Sequence, residues 1–202
     1  MSALSDLYEE IAFCQQCTLS KTRTMVVPGE GAENADIVFV GEAPGWHEDK
    51  QGRPFVGPAG KFLDDLLDLI GFNRSDVYIA NIIKCRPPNN RDPLHPEINA
   101  CENWLDRQLE IIKPKMIVTL GRYSMARYFP GQVISKIHGT AKKEEGIIYF
   151  AMYHPAAALH QQKLRQVIED DMRKIPNMLA DDCAMGEKKE KKEERPEQLS
   201  MF

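Results

Sequence analysis

Residues 36–45 read DIVFVGEAPG. Ile37 to Val40 are uninterrupted apolar residues, three of them β-branched, a run of the length and type of a buried strand. The run stops at Gly41-Glu42-Ala43-Pro44-Gly45, a turn in which two glycines and a proline prevent the strand from continuing. The same grammar recurs along the chain. VYIAN (77–81) is a second strand and leads into the proline-rich loop CRPPNNRDPLHP. KMIVTL (115–120) is a third and stops at Gly121. IIYFAMY (147–153) is a fourth and stops at HPAAAL (154–159).

Helical periodicity fills the gaps. Residues 58–71 open with Pro58, close at Gly71 and place Phe62, Leu63, Leu66, Leu67 and Ile70 on an apolar face. Further helices are expected over 96–112, 122–129 and 156–179, and a short one over 1–13 with Leu4, Leu7, Tyr8 and Ile11 on one face. Short apolar strands alternating with helices predict an α/β domain with three α/β/α layers around a four-stranded, mostly parallel sheet. Ligands of such sheets bind beyond the carboxyl ends of the strands. The chemically rich segments all follow strands: 41–45, 81–91, 121–122 and 154–159. Four loops are thus expected to converge on one cleft.

Composition sets the bounds. The 202 residues carry 43% hydrophobic and 28% charged residues and a formal net charge of -4. That is a folded chain, not one that coats nucleic acid indiscriminately. No apolar run is long enough for a membrane span, and MSALSDLYEE lacks the pattern of a secretory signal, so a cytoplasmic location is expected. Residues 1–180 read as the domain. Residues 181–202 hold seven acids and five bases with few apolar residues, and read as a flexible charged tail.

Five cysteines in a chain without a signal argue for ligation rather than disulfides. Cys14 and Cys17 form a CxxC pair, and Cys85 and Cys101 are separated by fifteen intervening residues. Four thiolates suit a tetrahedral zinc or a [4Fe-4S] cluster, and spacing alone does not separate the two. Cys183 falls in the tail and is set aside as a non-ligand. GEAPG does not fit GxGxxG. GPAGK (57–61) does not fit a phosphate-binding loop, because Phe55 occupies the first glycine position and Phe62 the place of the Ser/Thr. Nucleotide hydrolysis is therefore not indicated. At the expected cleft, Asn81 offers an amide able to read a base edge. Phe55 offers a stacking ring. His154 offers a donor for a developing anion. Each also has an ordinary structural reading, as a turn residue, core packing or a satisfied buried histidine.

Taken together, Cys14-x2-Cys17, GEAPG (41–45), GRPFVG (52–57), NIIKCRPPNNR (81–91), Cys101, TLG (119–121) and HPAAAL (154–159) resemble the family 4, iron–sulfur uracil-DNA glycosylases, in the family's order and over about three-quarters of the chain. The resemblance implies a [4Fe-4S] cluster on Cys14, Cys17, Cys85 and Cys101, mainly structural in role. It implies a monofunctional base-excision-repair enzyme that flips uracil out of single- or double-stranded DNA and hydrolyses its N-glycosidic bond, leaving an abasic site. Phe55 would stack on the uracil, Asn81 would read its O4/N3 edge, and His154 would hydrogen-bond O2. Gly41, Ala43 and Gly45 would line the pocket. Glu42 is assigned to water positioning and Glu48 to a supporting role. Lys84, Arg86, Arg91 and Arg122 are candidates for phosphate contacts, and Leu159 for a wedge into the vacated stack. The chain is expected to act as a monomer.

The tail ends in Gln198-Leu199-Ser200-Met201-Phe202, similar to the pentapeptide by which bacterial repair proteins dock on the β sliding clamp, with Met201 in place of Leu. The rival to the enzyme is a non-catalytic, cluster- or zinc-bearing nucleic-acid-binding module of the same superfamily, associated with a polymerase.

Overall fold

The computed structural model describes residues 2–180. The tail, Cys183 and the peptide 198–202 lie outside the described residues. The strands are β1 (Glu30–Gly31), β2 (Ile37–Gly41), β3 (Tyr78–Asn81), β4 (Met116–Leu120), β5 (Ala141–Glu144) and β6 (Ile147–Met152). They form one sheet in the order β1-β3-β2-β4-β6-β5. The inner four are parallel, with Gly41 opposite Asn81, Val38 opposite Ile117 and Leu120 opposite Met152. The two edges, β1 and β5, pair antiparallel.

The expected four-stranded sheet is therefore the parallel centre of a six-stranded mixed one. The missed strands give no periodic apolar signal. β1 has two residues, and β5 is Ala-Lys-Lys-Glu, largely exposed. Such charged or very short edges are how sheets avoid pairing with a neighbour.

Alternation along the strands builds the two outer layers. Ile37, Phe39, Ile79, Val118 and Phe150 face α3 (Pro58–Leu69) and α8 (Lys163–Met172), packing on Phe62, Leu63, Leu66, Leu67, Ile168 and Met172. Val38, Val40, Tyr78, Ala80 and Ile117 face the opposite way, onto Leu4, Leu7 and Ile11 of α1 (Ala3–Ala12) and Trp104, Leu105 and Ile112 of α4 (His95–Ile112). Strands buried on both faces explain why they read as continuous apolar runs rather than alternating ones.

The remaining helices are α2 (Trp46–Gln51), α5 (Arg122–Tyr128), α6 (Ile134–Ile137) and α7 (Ala156–His160). The single helix expected over 156–179 is broken: Gln161 is extended between α7 and α8, and residues 175–180 form a separate helical segment. No glycine or proline in 159–163 marks that break. Among the described residues no helix is long and apolar enough to cross a membrane.

Candidate active site

The chain leaves β2 for β3 on one side, then crosses to β4 on the other, so strand order reverses between β2 and β4. A crevice opens at the carboxyl ends of strands around such a point. Here it is an open cleft of about 850 Å³ lined by Glu42 to Glu48, Phe55, Asn81, Arg91, Gly121, Arg122, His154 and Leu159, among others. All four loops that the sequence marks as chemically rich contribute to it.

Asn81 ends β3 and is only 2% exposed. Its Oδ1 is buried with no hydrogen-bond partner. A buried polar atom left unpaired costs on the order of 1–3 kcal/mol, so an orphan lining a cleft is poised for a ligand donor. Gly41, opposite Asn81 in the sheet, makes room for this arrangement. A Cβ there would lie 2.4 Å from Asn81 Oδ1 and 2.7 Å from the Phe55 ring. Gly41→Ala is thus expected to displace both side chains. The outcome is a fall of at least about tenfold in kcat/KM with the melting temperature lower by about 2–12 °C, from an overpacking cost of about 1–3 kcal/mol, checked by steady-state kinetics beside thermal denaturation.

Phe55 holds its ring in the cleft from a left-handed backbone, φ 51°. That conformation costs a bulky residue on the order of 1–3 kcal/mol and needs surroundings that enforce it. Gly60 allows close approach, since a Cβ there would lie 1.9 Å from the Phe55 carbonyl oxygen. Arg74 supplies the rest. Its guanidinium donates to the carbonyls of Pro54 and Phe55 and is held by Glu30 and Asp64. No motif in the sequence marks Arg74; only its distant carbonyl partners do. Arg74→Ala is expected to release the loop, raising KM several-fold more than it lowers kcat. Arg74→Lys should rescue little, because one ammonium cannot reproduce the fork.

His154 stacks on Phe55, with ring centroids 5.4 Å apart and planes 24° from parallel. Its Nδ1 accepts the backbone N–H of Ala156 at 3.1 Å. An accepting Nδ1 assigns the proton of the neutral ring to Nε2, which makes that nitrogen a donor. Enclosure pushes the imidazole pKa down to about 4, against the opposing charge of Glu48. The ring is therefore neutral at physiological pH.

The two carboxylates have different roles. Both oxygens of Glu48 are committed: Oε1 accepts from the N–H groups of Val56 and Gly57, and Oε2 from Gly45. Glu48 is a staple tying the GEAPG turn to the Phe55 loop. Glu42 lies at the β2/β4 crevice, where Oε1 accepts the Tyr123 N–H at 3.1 Å in the first turn of α5. Burial raises its pKa, with that hydrogen bond and Arg122 opposing.

The four candidate phosphate contacts separate. Arg91 and Arg122 line the cleft. Arg91 is forked onto Glu97 at 2.6 and 2.9 Å, and Arg122 pairs with Asp92. The Arg122–Asp92 pair is exposed on both sides, a weak pairing that a phosphate can displace. Arg86 lies beside the cleft, bonded to Asn90. Lys84 is a correction. It is 1% exposed, and its ammonium donates to the Asn81 carbonyl and to Gln108 Oε1. Gln108 in turn joins Tyr78, which bonds Tyr8. Lys84 reads as a cleft charge because the loop around it is polar; the fold turns it inward, out of reach of DNA. Leu159 on α7 is 51% exposed at the cleft, as is Trp46, which carries no sequence signal beyond its type.

Behind the Asn81 loop, Cys14, Cys17, Cys85 and Cys101 are free thiols around one enclosed pocket, together with Arg23 and Trp104. Arg23 donates to Cys85 Sγ at 3.1 Å, Trp104 Nε1 to Cys14 Sγ at 3.3 Å, and the Lys84 N–H to Cys101 Sγ at 3.2 Å. Burial pushes the Cys101 thiol up to about 11, with the Lys84 charge opposing. Among the described residues no three cysteine, histidine or carboxylate side chains meet closely enough to hold a single metal ion.

Residues 28–175 match the uracil DNA glycosylase superfamily. The chain is 50% identical over 185 residues to a type-4 uracil-DNA glycosylase of Sulfurisphaera tokodaii, covering 87% of this chain and 84% of that one. It is 47% identical to one of Archaeoglobus fulgidus (87% and 92%) and 45% identical to one of Saccharolobus solfataricus (89% and 88%). With its cleft at the strand ends and its four gathered cysteines, the chain belongs to the type-4 branch of the uracil DNA glycosylase superfamily.

Proposed function

We propose that this chain removes uracil from single- and double-stranded DNA by hydrolysing the N-glycosidic bond, leaving an abasic site. The observation that carries the reading is the orphaned Asn81 Oδ1 beside the stacked Phe55–His154 pair. Uracil presents an N3–H donor next to the O4 acceptor, which suits a side-chain amide. Cytosine presents an amine and an unprotonated N3, which reverses both bonds and leaves buried groups mismatched. Phe55 stacks on the flipped base. As the C1′–N1 bond breaks, negative charge grows on uracil O2. The neutral His154 supplies Nε2–H there, a fixed donor that needs no proton transfer. Glu42, with one oxygen anchored on α5, orients the water that attacks C1′. Gly41, Ala43 and Gly45 give the pocket a small-residue wall, Glu48 holds it together, and Arg86, Arg91 and Arg122 meet phosphates. Leu159 fills the gap in the stack.

We assign a [4Fe-4S] cluster to Cys14, Cys17, Cys85 and Cys101. Four thiols around a shared pocket, with three N–H donors aimed at sulfur, supply the thiolate ligation that such a cluster takes. Bound there, the group supplies cross-linking rather than chemistry. It ties the segment after α1 to α4 and to the loop that starts at Asn81. The 181–202 tail is proposed as a tether, with Gln198 to Phe202 binding the β clamp. Deleting residues 198–202 is expected to abolish clamp pull-down and leave activity on oligonucleotides unchanged, and retained pull-down refutes it.

The test of the activity is product analysis. A uracil-containing oligonucleotide should yield free uracil and an abasic strand that breaks only on alkali treatment. A folded, brown protein that binds DNA but releases no base overturns the reading in favour of the polymerase-associated binding module.

A further inference from the structure

We propose that Trp46 is a second stacking platform, for the nucleobase that flanks the flipped uracil; the inference rests on the glycosylase reading of the cleft. Trp46 is 51% exposed at the start of α2, directly after the GEAPG turn, and lines the cleft. An exposed indole forgoes the burial that a large aromatic side chain otherwise gains, so the fold has no use for it there. The backbone that carries it is held in place. Its ring stands edge-on to His47, with centroids 5.0 Å apart and planes at 89°. A Cβ on Gly57 would lie 3.2 Å from His47 Cδ2, so that imidazole packs on the backbone two residues beyond Phe55. Glu48 bonds the N–H groups of Gly45, Val56 and Gly57 and so locks the turn before Trp46 to the loop that carries Phe55.

Two aromatic rings that line the cleft, one buried and one exposed, are thus carried on backbone segments joined by Glu48. Extruding a nucleotide unstacks its neighbour, and every base has a face that an indole can cover. The ligand class is an unpaired nucleobase of any sequence.

Two measurements on the full-length holoprotein test this. Uracil-free oligothymidylate of about ten nucleotides should quench tryptophan emission, because the other tryptophan, Trp104, is buried. Trp46→Phe should abolish the quench and keep binding within about threefold. With a single-stranded uracil substrate, Trp46→Ala should raise KM roughly 5- to 150-fold with little change in kcat. With nucleotides lacking bases on both sides of the uracil, wild type and Trp46→Ala should have the same KM. An unchanged KM on the ordinary substrate, or an equal penalty on the baseless one, overturns the proposal. The quench uses DNA without uracil, so a wild type that releases no uracil is a separate failure, of the glycosylase reading.

Discussion

His154→Leu is expected to lower kcat roughly 10²- to 10³-fold and to change KM little. Leucine keeps apolar contact with Phe55 but removes the Nε2–H donor, and a single preorganised donor to a developing anion is worth that much. The pH profile distinguishes this account from one with a charged ring. The imidazole gains a proton only near pH 4, so raising the pH from about 5 to about 8 leaves this group's contribution unchanged. An imidazolium donor would instead lose activity as the pH rose through about 6.5. Below about pH 4.5 protonation of Nδ1 sets two donors against each other, the ring and the Ala156 N–H, and activity should fall. Single-turnover rates on single-stranded DNA across that range read the difference. A fall centred near 6.5 on the alkaline side that disappears in His154→Leu contradicts it.

Cys101→Ala should cost stability before chemistry. The expected signs are loss of the brown colour and of the broad absorption near ~400 nm, and a melting temperature lower by about 8–16 °C, corresponding to about 4 kcal/mol for a chain of this size. The physical reason is local. Lys84 is a buried ammonium, and among the described residues no carboxylate lies within ion-pair distance of it. Burial pushes its pKa down to about 8, with the neighbouring Cys101 and Cys85 sulfurs opposing, and its backbone N–H donates to Cys101 Sγ. Its hydrogen bond to the Asn81 carbonyl links the cysteine cage to the base-reading residue. Residual activity measured well below the new melting temperature should stay within about tenfold of wild type. Spectrally intact protein with an unchanged melting temperature would remove Cys101 from the ligand set, and a colourless but zinc-loaded wild type would replace the cluster.

The parallel centre of the sheet is legible in DIVFVGEAPG and its three counterparts because doubly buried strands leave an unmistakable apolar run. The edges are not legible: β1 has two residues, and β5 is Ala-Lys-Lys-Glu, largely exposed and without an apolar run. The cleft follows from which segments come after strands: residues of 41–45, 81–91, 121–122 and 154–159 all line it, Asn81 and His154 among them. What the sequence hides is connectivity. Lys84 is a surface charge by composition and a core hydrogen-bond hub by packing. Glu48 reads as a supporting carboxylate, and only the fold shows what it supports, with both oxygens on backbone N–H groups of two loops. Arg74 is invisible until its partners are seen to be the carbonyls that fix the strained Phe55 backbone. Such roles depend on contacts between residues far apart in the chain, and no local pattern encodes them.

The most direct test of the central claim is strand cleavage after alkali of an oligonucleotide with a single uracil, by wild type and by Asn81→Ala, with the cytosine-containing strand alongside. Wild type should cleave at uracil and not at cytosine. The variant should be at least roughly 10²-fold slower, because both edge contacts are lost. Equal cleavage by wild type and Asn81→Ala would contradict it, since the base would then be read elsewhere than at the orphaned carbonyl of Asn81.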